Sequence, residues 1–232
     1  MNNTQTNICE VSNLNFLKTQ GKSKTAIFIL HGYGASMNDL AGLAPFLDSD
    51  NNFTWFFPDG PIGVDIGMHV QGRAWFPIDM NELQKAMMSG SHRSFADKNP
   101  KELQISMDKC EAFIKAHSED FDQILIGGFS QGSMVTSHLL DKFEKLAGYI
   151  CLSGTLLNQD GLEKTLENVA PIKFFQSHGK ADQVLQYSQA MNLFELLKLY
   201  RMQGEFVSFD GGHEIPPQVL TKCTKFLSSF LI

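Results

Sequence analysis

The sequence predicts an α/β fold in which a mostly parallel central sheet carries helices on both faces, and three observations lead there. Short apolar runs rich in β-branched and aromatic residues alternate along the chain with segments of helical period. The runs are continuously apolar, the pattern of strands covered on both sides. No linker, internal repeat or low-complexity stretch divides the 232 residues, so one domain spanning 1–232 is expected.

Taken in order, the segment from Ile8 to Phe16 reads as an edge strand and TAIFIL, Thr25 to Leu30, as the first buried one. Leu40, Leu43, Ala44 and Leu47 then recur at helical spacing behind Ser36 and Asp39, which have the spacing of a capping box. FTWFF, Phe53 to Phe57, is the next strand. The excursion 61–98 breaks the alternation; its Gly and Met content, with Trp75 and Phe76 together, suits a lid or pocket wall better than a free linker.

Leu103, Met107, Cys110, Ile114 and His117 form a helical stripe, followed by the strand QILIG, Gln123 to Gly127. A helix carrying Val135, Leu139 and Phe143 comes next, then strands at Gly148 to Leu152, Ile172 to Gln176 and Glu205 to Phe209. Pro216 and Pro217 suit the first turn of a last helix, whose stripe is Val219, Cys223, Phe226, Leu227 and Phe230. Cys110 and Cys223 on such stripes read as core filler.

Composition narrows the function. With 43% hydrophobic and 19% charged residues the chain can bury a substantial core. A net charge of −6 leaves no basic excess to displace counterions from a phosphate backbone, which excludes nucleic acid as a main partner. Cys9, Cys110, Cys151 and Cys223 are far apart, with neither a zinc spacing nor a disulfide framework. The N-terminus lacks a secretory pattern and no apolar run is long enough for a membrane span, so a cytoplasmic location is expected.

The sharpest motif is Gly128-Phe129-Ser130-Gln131-Gly132. It lies between a buried strand and a helix, so Ser130 sits on the tight turn from which a nucleophilic serine is exposed. Side chains at 128 and 132 would collide with neighbouring backbone, which explains the glycines. A serine hydroxyl needs a base, and the base an orienting acid. His213 follows the strand ending at Phe209, and Asp182 follows the strand IKFFQ. Both lie at carboxyl ends of strands, where open α/β sheets place their sites. Asp210 stands near enough to His213 to be the alternative acid, but its closeness in sequence makes the far side of the imidazole hard to reach. His138 reads as a packed helix residue, His178 as a shaper of the acid loop, and Glu214 as a solvated or capping carboxylate.

An oxyanion requires donors. The backbone N–H of Gln131, next after the nucleophile, is one; the strand end Leu30-His31-Gly32-Tyr33-Gly34 supplies a second at the Tyr33 amide.

The blocks LHGYGAS (30–36), FPDGP (57–61), GRAWF (72–76), GGFSQGS (127–133), HGKAD (178–182) and GGHEI (211–215) occur in the order seen in the carboxylesterase/phospholipase family. The chain resembles that branch of the α/β-hydrolases, which includes bacterial carboxylesterases and the acyl-protein thioesterases, over nearly its whole length. The resemblance implies Ser130, Asp182 and His213 as catalytic residues, the Tyr33 and Gln131 amides as the oxyanion hole, and Trp75 and Phe76 as lining of an acyl-chain groove. It implies no cofactor and no metal. Expected partners are a small or lipid acyl ester, or an acylated protein, with transient contact at a membrane surface and a homodimer through the Met-rich stretch 68–88. Two departures stand out: Gln183 follows Asp182 where the family often has proline, and 84–98 is longer and richer in Met than in compact members.

The expected activity is hydrolysis of carboxylic esters or thioesters through an acyl-enzyme. A peptidase, or a non-catalytic binding module on the same fold, is the competing reading.

Overall fold

The computed structural model describes residues 6–67, 70–79, 85 and 94–231. An eight-stranded sheet runs through the chain. Its strands are β1 (Thr6–Cys9), β2 (Leu14–Thr19), β3 (Thr25–Leu30), β4 (Thr54–Pro58), β7 (Gln123–Phe129), β8 (Leu146–Leu152), β9 (Lys173–Gly179) and β10 (Gln203–Phe209), in spatial order β1-β2-β4-β3-β7-β8-β9-β10. From β4 to β10 every neighbouring pair is parallel, whereas β2 pairs antiparallel with both β1 and β4. The edge strand expected over Ile8 to Phe16 is thus a hairpin, turned at Asn13, which has φ 55°. A separate antiparallel pair, β5 (Ile62–Asp65) and β6 (Gln71–Ala74), occupies the start of the 61–98 excursion.

The helices are α1 (Met37–Ala41), α2 (Ala44–Leu47), α3 (Lys101–Ser118), α4 (Gln131–Ser137), α5 (Gln159–Asn168), α6 (Tyr187–Leu199) and α7 (Pro217–Ser228). Period-two alternation in the strands divides the core between the two faces. Ile27, Ile29, Trp55, Leu125, Ile150 and Phe175 pack with α1, α2 and α7. Phe28, Leu30, Ile126, Tyr149 and Phe174 face the opposite layer, made by α3, α4, α5 and α6. This double cover is why the strands read as unbroken apolar runs.

Two helices differ from the sequence expectation. The segment begun by Ser36 is two short helices, with Ser36 Oγ accepting from Asn38 N–H. The helix after the glycine-flanked turn ends at Ser137, short of Leu139 and Phe143. The hydroxyls of Ser133, Thr136 and Ser137 donate back to the carbonyls of Ser130, Gly132 and Met134, and such back-bonding weakens helix continuation.

All four cysteines are buried free thiols. Burial pushes the Cys223 thiol up to about 12, so it stays protonated and packs as an apolar group. Among the described residues no helix is long and apolar enough to cross a membrane. Met68, Met80, Met87 and Met88, in the stretch expected to form a dimer contact or lid, lie outside the described residues.

Candidate active site

Ser130 alone makes the turn between β7 and α4, at φ 53° and ψ −120°. A non-glycine residue in such a sparsely populated region stores about 1–3 kcal/mol, held by its surroundings. A Cβ on Gly132 would stand 2.2 Å from Leu30 O and one on Gly128 2.5 Å from the Gly132 carbonyl carbon, so only glycine lets the turn close against β3.

Backbone bonds extend the sheet past its formal end. Ser130 N–H donates to Leu152 O at 2.8 Å, Ser153 N–H to Ser177 O at 2.9 Å and Lys180 N–H to Phe209 O at 2.9 Å. These rungs fix the loops that carry Asp182 and His213 relative to the serine. A further bond from the Ser153 hydroxyl to Glu214 O, 3.2 Å, holds the residue after His213.

Ser130 Oγ lies 2.9 Å from His213 Nε2, and His213 Nδ1 lies 2.6 Å from Asp182 Oδ2. In the neutral ring, Nδ1–H donates to the carboxylate and Nε2 accepts the serine O–H. The other carboxylate oxygen accepts from the N–H groups of Val184 and Leu185 at 2.8 and 2.9 Å. Burial alone would raise the Asp182 pKa; the hydrogen bond and charge of His213, the Leu185 N–H and His178 outweigh it and hold the carboxyl below its usual range.

The other candidates fall elsewhere. Asp210 is 91% exposed at its side chain and pairs with Lys180. His138 is packed, its Nε2–H donating to Leu157 O at 2.8 Å. His178 donates from Nε2 to Leu185 O at 2.9 Å and lies 3.3 Å from Asp182 Oδ2, so it does shape the acid loop. Glu214 accepts from Gly212 N–H.

Gln131, as the first residue of α4, has an N–H with no partner one turn earlier, and the Tyr33 N–H has no backbone acceptor among the described residues. The Tyr33 loop is held from several sides. His31 Nε2 accepts from Gly60 N–H at 2.9 Å, so Nδ1 carries the proton and donates to Gly32 O at 2.7 Å. Gly34 and Ala35 exchange backbone bonds with Arg73 of β6, each 2.8 Å.

Beside Ser130 a cavity of about 310 Å³ opens, walled largely by Phe76, Ile78, Phe95, Met134, Val184 and Leu185. Phe76 is one of the residues lining this cavity. Trp75, expected beside it in the wall, is not: its ring is fully buried in the hydrophobic layer. Its indole N–H donates to His31 O at 2.9 Å, two residues before Tyr33, and Trp75 is not among the described residues lining the cavity. Sequence reading also missed the side chains of Gln131, Ser106 and His31 as structural partners. The LHGYG run signalled His31, but nothing along the sequence pairs Ser106 or the Gln131 amide with Trp75.

Three buried histidines, His31, His138 and His178, have pKa values pushed below 6.5, in each case first by burial. A depressed histidine stabilises the fold fully above its unfolded value and loses that contribution as pH falls through the lowered one. The urea midpoint should therefore drop between about pH 7 and about pH 5, and His138→Gln, which keeps an N–H for Leu157 O, should flatten part of that drop.

A doubly covered, mostly parallel sheet with a strained serine, a histidine and an aspartate at its carboxyl rim defines a serine hydrolase of the α/β-hydrolase class. The model of the phospholipase/carboxylesterase family matches residues 15–231. Acyl-protein thioesterase 1 homolog 1 of Dictyostelium discoideum is 30% identical over 220 residues, covering 90% of this chain and 91% of that one. Acyl-protein thioesterase 1 of Mycosarcoma maydis is 28% identical over 221 residues, covering 90% and 91%. The fold is similar to esterase PE8, with TM-score 0.74, 22% identity and 98% coverage of both chains, and to the Bacillus cereus carboxylesterase, with TM-score 0.70, 18% identity and coverage of 93% and 94%. The chain belongs to the phospholipase/carboxylesterase family and is a hydrolase of carboxylic esters.

Proposed function

We propose that the protein cleaves esters and thioesters of apolar acyl chains through an acyl-enzyme on Ser130, and the observation that carries this reading is the 2.9 and 2.6 Å relay from Ser130 through His213 to Asp182. His213 Nε2 takes the hydroxyl proton as Oγ bonds to the acyl carbon, and the carbonyl electron pair moves onto its oxygen. The Tyr33 and Gln131 N–H groups stabilise that oxyanion, and Asp182 stabilises the imidazolium. When the tetrahedral species collapses, the alkoxide or thiolate leaves with the proton from His213. A water molecule repeats the sequence in reverse and frees the acid. No step calls for a metal or an organic cofactor.

The apolar cavity beside Ser130 suits the acyl chain, with Phe76 in contact with it. An acylated protein fits as the natural donor, since the scissile carbonyl of such a substrate lies at the end of a chain the cavity can bury, and relatives named acyl-protein thioesterases support it. Ile66 and Val70, half exposed on the β5–β6 hairpin, favour brief contact with the lipid surface from which a chain is drawn. Four unpaired thiols favour the reducing cytoplasm.

Hydrolysis rates for esters and thioesters of matched acyl chains, from acetyl upward, test the reading. The rate constant kcat/KM should climb with chain length until the cavity is filled, with short peptide amides uncleaved. Equal rates at every length, or preference for peptides, would replace the acyl reading by the peptidase one.

A further inference from the structure

Trp75 makes no contact with the cavity, yet every polar group it has is engaged by a different element. Its indole N–H donates to His31 O, two residues before the Tyr33 amide. Its backbone N–H donates to Gln131 Oε1 at 2.9 Å, while Gln131 Nε2 donates to Phe76 O at 2.7 Å. Its carbonyl accepts from the hydroxyl of Ser106, on α3. All of these groups are buried, with Trp75 at 0% and Gln131 at 1% exposure.

We propose that Trp75 is a positioning residue for the oxyanion hole: through its indole and through the two-point grip of the Gln131 side chain, the Trp75–Phe76 backbone sets the separation of the Tyr33 and Gln131 amides. The two amides belong to different loops, one after β3 and one at the start of α4, and these approach each other where a Cβ on Gly132 would stand 2.6 Å from His31 O. An amide side chain gripping an N–H and a C=O on consecutive residues has little freedom to shift. The indole, in turn, ties the same two residues to the carbonyl of His31, whose imidazole braces Gly32 O. The Ser106 hydroxyl anchors the assembly to the long helix α3.

One consequence follows for selectivity. Phe76 is both a cavity wall and the acceptor for Gln131, so an acyl chain that displaces Phe76 also moves an oxyanion donor. Chain fit is thereby transmitted to the transition state rather than to ground-state binding alone.

The inference rests on Ser130 being the nucleophile, and one experiment separates the two. A trifluoromethyl ketone with an acyl-like chain adds Ser130 Oγ to its carbonyl carbon, the proton passing to His213 and the electron pair to the ketone oxygen, which then occupies the oxyanion hole. The matching unfluorinated ketone fills the cavity without adding. Both are measured against wild type, Trp75→Phe, which removes the indole N–H, and Gln131→Met, which removes both side-chain bonds but keeps the backbone amide. The second variant serves if the first does not fold.

In the variants kcat and trifluoromethyl ketone affinity should fall together by roughly 10- to 100-fold, with unfluorinated ketone affinity unchanged. Unchanged trifluoromethyl ketone affinity in a folded variant overturns the positioning role, as does an equal loss for both ketones, which would return Trp75 to the cavity wall. If wild type itself binds the two ketones alike, the nucleophile reading fails and the inference with it.

Discussion

Replacing Ser130 by alanine should lower kcat by about a millionfold, to the residual level left by binding and the oxyanion donors alone. The same variant should lose all covalent labelling by a fluorophosphonate, which modifies wild type on the peptide containing Ser130. Retained labelling would assign the nucleophile to another hydroxyl. A companion substitution isolates the strain: Ser130→Gly is equally inactive, but glycine accepts φ near 53° without penalty. It should therefore unfold later than Ser130→Ala by about 1 kcal/mol in chemical denaturation. The order reverses only if the turn were relaxed.

The second large effect is expected at Asp182. Asparagine there keeps the shape and one acceptor for the Val184 and Leu185 amides, but its NH2 group, facing His213 Nδ1, would favour the tautomer with the proton on Nε2. That ring donates to Ser130 instead of accepting from it, and kcat should fall by about 10⁴-fold with KM little changed. Asp210→Asn is the control: its carboxyl is 91% exposed and paired with Lys180, so turnover should stay at the wild-type value. A large loss in the control and a small one in Asp182→Asn would exchange their roles. Steady-state kinetics on one activated ester suffices.

How far the chain could be read in advance depended on the range of the interactions. The parallel strands were legible because burial on both faces leaves nearly continuous apolar runs, and β3 spans Thr25 to Leu30 as its composition indicates. That Ser130, Asp182 and His213 meet was legible for a related reason: each follows a recognisable strand, and strand ends on one side of a parallel sheet share a rim. The hairpin β5–β6 was not, since Gly63 and Gly72 interrupt its alternation. Helix α6 did carry Leu193, Leu196 and Leu197 at helical spacing, a signal that could have located it. The apolar period of Val135, Leu139 and Phe143 overextends helix α4, since hydroxyl back-bonding depends on rotamers rather than on apolar period. Trp75 was misplaced for the same kind of reason, its orientation being set by a carbonyl far away in sequence at position 31.

The main-chain rungs beyond the sheet, from Ser130 to Leu152, Ser153 to Ser177 and Lys180 to Phe209, involve only peptide groups. Because any residue except proline can supply such a donor, the spacing of the reacting groups is insulated from substitution in the loops around them. Side chains of the cavity wall outside the Phe76–Gln131 grip, such as Ile78 and Val184, can then be exchanged while the spacing of Ser130, His213 and Asp182 is kept, which makes this scaffold a platform for altering substrate preference in the laboratory.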